Sequence, residues 1–188
     1  MALGKRSLSK PKVYKFVHQD DEYIQTNIKG IEYKNERGWL EINKNGRIYL
    51  NTSCYDGYAW DGCTPKFELF DFLIGTPDGK LDYGTEKPIT YFASMTHDLL
   101  YQLKRELPLS RKTVDVLFYL ILKDSGFIWS GVYYFFVRAF GGILFPGWKT
   151  KEKIKNIVIE ECSWIERTKE ELKKINLPNE VNHPFLKI

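Results

Sequence analysis

Three histidines, His18, His97 and His183, limit where imidazole chemistry can occur in this chain. His18 falls in a predicted strand near Asp20-Asp21, and His183 stands beside Pro184. His97 lies within Ser94-Met95-Thr96-His97-Asp98-Leu99-Leu100-Tyr101, on a predicted helix. At 3.6 residues per turn His97 and Tyr101 share a face, while Asp98 sits about 100° round the helix. A His97 that takes a proton from water therefore needs its orienting carboxylate from another element. Asp115, in an otherwise apolar helical stretch, is the candidate. Two helices joined by a short link around Pro108 lie antiparallel, which brings Asp115 to His97 or Tyr101. A buried Asp needs a partner whatever the function. With Arg138, the same residues also suit a satisfied polar network between helices, and both readings stay open on residue types alone.

A second cluster is Tyr58-Ala59-Trp60-Asp61-Gly62-Cys63-Thr64-Pro65. Asp61-Gly62 marks a tight turn that presents a carboxylate and backbone carbonyls, a set suited to a hard cation such as calcium; the same turn also serves simply to link sheet to helix. Nothing around Cys63 activates its thiol. Cys54, Cys63 and Cys162 show no CxxC spacing, so neither a disulfide framework nor a structural zinc site is expected.

The elements that must position these residues follow from spacing and punctuation. Residues 12–60 read as β-rich, with short runs at Val13–Val17, Ile28–Tyr33, Trp39–Ile42 and Ile48–Leu50. Asn45-Gly46 predicts a two-residue type I′ hairpin. Residues 51–90 are punctuated by Gly and Pro, as a functional loop is, and include the turn Thr76-Pro77-Asp78-Gly79. Helices are expected from Ile89 to Leu107, from a Ser110 cap to Gly126, over 129–140 with a stop at Gly141-Gly142, and over 149–176 as an amphipathic C-terminal helix. The fold class is α+β: a small antiparallel sheet in the N-terminal half, then a helical C-terminal half. The expected organisation is a basic arm, 1–15, and a single α+β domain, 16–188.

Composition narrows the function classes. The net charge is +4, but Lys5, Arg6, Lys10, Lys12 and Lys15 supply five bases without an acid, and the rest is slightly acidic. No basic stripe is evident, and no specific nucleic-acid binding is expected. Residues 1–15 lack the apolar core of a signal peptide. Aromatic residues make up 15% of the chain, and nine fall in the 22 residues 127–148. Arg138 lies mid-segment, where a bilayer-centre arginine costs about 2.5–3.5 kcal/mol, so a core helix is expected here rather than an integral membrane span.

Three blocks in order resemble domain-of-unknown-function family 1353, common in phages and prophages: Tyr58 to Pro65, then His97-Asp98-Leu99-Leu100-Tyr101, then Arg111 through Asp115 and Phe118. Arg138-Ala139-Phe140-Gly141-Gly142 is similar to the family's ending, and Cys63-Thr64 replaces its more usual Ala-Ser. The resemblance implies a phage-associated product, located in host cytoplasm or virion, without fixing an activity. His97-Asp98 with Tyr101, followed by Asp115 and Phe118, also resembles the catalytic helices of phospholipase A2. That likeness implies His97 as the activator of water, Asp115 as its orienter supported by Tyr101, and Asp98 as a calcium ligand, with Asp61 as a substitute for the missing glycine-rich calcium loop.

Two functions follow. The first is a hydrolase of esters, including phospholipid esters, with catalytic His97, Asp115 and Tyr101 and a metal, Ca2+, near Asp98 and Asp61; the aromatic segment 127–148 then meets a lipid surface. The second is a non-catalytic phage virion, cargo or host-interaction protein in which the His-Asp-x-x-Tyr motif is structural and 127–148 binds another phage protein. A phosphohydrolase built on the His97-Asp98 doublet needs a further upstream helical histidine, and His18 is in a predicted strand.

Overall fold

The computed structural model describes residues 13–63, 66–69, 72–75, 78–82, 84–144, 146–150 and 154–174. The basic arm lies outside these apart from Val13, Tyr14 and Lys15, as do Thr64-Pro65, Thr76-Pro77, Phe145 and the chain from 175 onward.

Nine strands and four helices are described. A five-stranded antiparallel sheet has the order β3-β4-β5-β2-β9, built from β2 (Glu22–Thr26), β3 (Tyr33–Lys34), β4 (Leu40–Ile42), β5 (Arg47–Leu50) and β9 (Ile159–Cys162). β1 (Phe16–His18) pairs with β6 (Tyr58–Trp60), and β7 (Lys66–Leu69) with β8 (Phe72–Gly75). The helices are α1 (Tyr91–Gln102), α2 (Arg111–Asp124), α3 (Ser130–Leu144) and α4 (Ser163–Lys174). The α+β layout, antiparallel sheet and then helices, is the one expected. A buried cluster joins Ile24, Leu40, Ile42, Ile48 and Leu50 of the sheet to Met95, Leu99, Leu117 and Leu122 of the helices. Burying such side chains is worth about 1.5–3 kcal/mol each, which holds the helix pair bearing His97 and Asp115 against a rigid floor.

The β4–β5 hairpin forms, but its turn is not type I′. Asn45 keeps negative φ, Gly46 alone takes φ +85°, and the Gly46 N–H donates to the Asn43 carbonyl. Asn43 Oδ1 accepts from the Asn45 and Arg47 amides, so its side chain organises a longer loop. A Cβ on Gly46 would stand 2.1 Å from the Ile28 carbonyl oxygen and 2.5 Å from that of Thr26. Gly46→Ala should therefore cost about 2 kcal/mol or more, read as a lowered urea midpoint with unchanged slope.

Of the helix expected over 149–176, the described residues form Ser163–Lys174. The β-branched run Ile157-Val158-Ile159 leads instead into β9, which covers the free edge of β2. α1 ends earlier than expected, at Gln102, and turns fill the link to Ser110. α3 runs through Gly141-Gly142. These glycines are a contact, not a stop: a Cβ on Gly141 would lie 2.8 Å from the Tyr101 hydroxyl and 3.1 Å from Arg111. Ser110 does cap α2, its side chain accepting from the Thr113 amide.

Candidate functional site

The cap at Ser110 sets the start of α2 and thereby the rotation that turns Asp115 inward. His97 rests against Phe118, and Tyr101 meets Asp115, so α1 and α2 run antiparallel. Tyr119 meets Tyr134 and Asp115 meets Arg138, so α3 runs back along α2. Three helices thus converge on one carboxylate, which is fully buried.

Asp115 Oδ1 accepts from the Tyr101 hydroxyl at 2.5 Å and lies 3.1 Å from His97 Nε2. Its Oδ2 accepts from Arg138 Nη1 at 2.7 Å. Because the carboxylate can only accept, His97 carries its proton on Nε2, and Nδ1 becomes the basic nitrogen. No described group bonds Nδ1. Burial, then the charge of Asp115, raises the Tyr101 pKa far above its usual value, keeping it a neutral donor. The His97 ring lies between those of Tyr101 and Phe118, with centroids 4.2 and 4.7 Å away, and its side chain keeps 13% exposure.

That exposure opens on a cleft of about 10 Å³ lined by Gly62, Cys63, Ser94, His97, Asp98 and Phe118. A drug-sized ligand takes a pocket of about 300–1,000 Å³ and a single water about 10–15 Å³, so this cleft has room for about one water. Ser94 Oγ accepts from Trp60 Nε1 and donates to the Tyr91 carbonyl, which removes it as a nucleophile. Trp148 of the aromatic segment closes one side of Tyr101 at 4.9 Å, its indole bonded to the Leu109 carbonyl.

The metal expectation fares differently. Asp98 does line the cleft with Gly62, the residue after Asp61. Its Oδ2, however, accepts from the Tyr58 hydroxyl at 3.2 Å and from Gln102 Nε2 at 3.4 Å. Burial raises the Asp98 pKa, the Tyr58 bond, His97 and Gln102 offset part of this, and the nearby Asp61 charge adds to it. Calcium takes six to eight oxygen ligands. A half-buried carboxyl already holding two donors, beside one further carboxylate, fits that ion poorly. With the folded value raised, the stability from a protonated Asp98 is full below the ordinary value of 3.8 and is lost as pH rises through the raised one. Asp98→Asn should therefore gain stability on wild type across that window, measured by urea unfolding at acid and neutral pH.

Among the described residues, the side-chain group able to hold a metal ion is elsewhere: His18, Asp20 and Glu22, whose ligand atoms all lie within 4.8 Å of one another. His18 closes β1 and Glu22 opens β2, and both are buried while Asp20 is exposed. A bend at Asp20 between β1 and β2 gathers the three, and the nearness of Asp20 to His18 was the one sign of it in the sequence. Arg167 Nη2 lies 2.6 Å from both Glu22 oxygens, His18 Nε2 lies 3.0 Å from Oε1, and the Ser163 hydroxyl bonds Oε2. A metal must displace Arg167 or share Glu22 with it. His18 Nδ1 meets the Tyr91 hydroxyl at 3.2 Å, and burial pushes that phenol up to about 12.

No family model, curated protein or solved structure matches the chain.

Proposed function

We propose that the chain is a phage-associated hydrolase in which His97 activates water against an ester, with phospholipid esters as the substrate class. The observation that supports this most is the pairing of His97 Nε2 with buried Asp115, which leaves Nδ1 as the acceptor nitrogen of a residue that lines a cleft with room for about one water. In this mechanism the water proton passes to Nδ1 as its oxygen attacks the carbonyl carbon. Asp115 stabilises the imidazolium that forms, and Tyr101 and Arg138 hold Asp115 in place. On collapse of the tetrahedral species the proton returns to the leaving oxygen. The residues around Asp98 and Asp61 give no ground for routing a step through calcium, and the His18 group offers a separate place for a divalent ion.

The aromatic segment 127–148 serves, in this reading, as the contact with a lipid surface or another phage protein, in host cytoplasm or virion. One observation favours the non-catalytic alternative, a virion, cargo or host-interaction protein: Asp115 is fully satisfied by three side chains, as a purely structural network is. A substrate panel separates the two. The hydrolase reading expects release of acid from a soluble short-chain ester and from phospholipid in mixed micelles, with a chelator reporting any metal requirement. Absence of turnover on every ester supports the alternative.

A further inference from the structure

Half of the large apolar side chains exposed among the described residues, five of ten, fall between Ile128 and Ile143: Ile128, Trp129, Val132, Phe135 and Ile143. Val132, Phe135 and Ile143 share one face of α3 with Ala139 between them, while Tyr133 and Val137 are buried on the other. The single charge of α3, Arg138, turns inward to Asp115. α3 has 15 residues and is about 22 Å long, short of the roughly 30 Å of a bilayer core. No helix among the described residues is long and apolar enough to cross a membrane. Such a helix can lie in an interface but cannot span it.

Charge selects the occupant. Residues 108–150 hold five bases (Arg111, Lys112, Lys123, Arg138, Lys149) and two acids (Asp115, Asp124), a net +3. Asp115 is buried, whereas Lys112, Lys123 and Lys149 are exposed, as is Asp124; Lys112 and Lys123 lie on α2, which packs against α3. A second copy packed face to face would bring two +3 surfaces together, and like charges oppose that. Nucleic acid would need cations on the face itself, which carries none.

We propose that the outer face of α3 docks on an anionic lipid surface, with Trp129, Val132 and Phe135 entering the interface and the lysines of α2 flanking it. This deepens the lipid-ester reading and rests on it for its purpose: docking would hold the chain that carries the His97 cleft at the surface that contains its substrate. The test is co-sedimentation of the full chain with vesicles of phosphatidylcholine alone or mixed equally with phosphatidylglycerol. The mixed vesicles should bind the chain, high salt should release it, and Phe135→Asp should weaken binding about tenfold or more. Lys112→Gln and Lys123→Gln should each weaken it about fivefold. All three positions are at the surface, and melting curves should match wild type. Failure to sediment with either vesicle, or equal binding by Phe135→Asp, overturns the proposal. So does a dimer in light scattering that Phe135→Asp dissociates without any vesicle binding. Sedimentation needs no turnover and a soluble ester needs no docking, so failure here is distinct from failure of the His97 chemistry.

Discussion

Asp115→Ala should cost about 3–5 kcal/mol of folding stability, a large share of what a domain this size possesses. The carboxylate is fully buried and satisfies three donors from two neighbouring helices. Its loss strands a buried Tyr101 hydroxyl and leaves Arg138 without its counter-charge. Arg138 is 31% exposed and can turn partly to water, which holds the cost toward the lower end. Asp115→Asn keeps the shape and should unfold at a denaturant concentration between those of wild type and Asp115→Ala. An Asn side chain can also present its amide to Nε2, which favours the opposite tautomer of His97, so Asp115→Asn should lose hydrolysis beyond what its stability loss explains.

The second large effect is on rate. His97→Asn should lower ester hydrolysis by about 10²–10⁴-fold, the range expected for a positioned general base. The fold should survive, because the imidazole is partly exposed at the rim of its cleft and only one of the three Asp115 donors is removed. A role confined to packing predicts the reverse pattern: a lowered melting temperature and no rate to lose.

Much of this site was legible in the residues. Helical spacing put Tyr101 with His97 and turned Asp98 aside, the need of a buried Asp for a partner pointed to Asp115, and Ser110 marked the cap that sets α2's rotation. What escaped was decided by tertiary pairing. β2 is an interior strand of the sheet, paired on both edges, yet its inward positions are Glu22, Ile24 and Thr26, so no apolar alternation announces it. Glu22 is tolerated there because Arg167, far along the chain, neutralises it. β9 sits in a stretch whose Lys and Glu suit a helix, and its β-branched run together with the free edge of β2 makes it a strand. The Asn45-Gly46 pair predicted a hairpin correctly but not its turn, because Asn43 organises the loop from outside the pair. The aromatic segment was one block by composition; the fold divides it into Tyr133 and Trp148, which pack inward, and Trp129 and Phe135, which stand exposed.

The central claim is that His97 is a base held by Asp115. Wild type and His97→Asn should be assayed side by side for acid released from a soluble ester and from phospholipid, with thermal melts of the same samples. The expected result is turnover by wild type, a loss of about 10²–10⁴-fold in the variant, and closely matching melts. Full turnover by His97→Asn, or none by wild type on either ester, would contradict it.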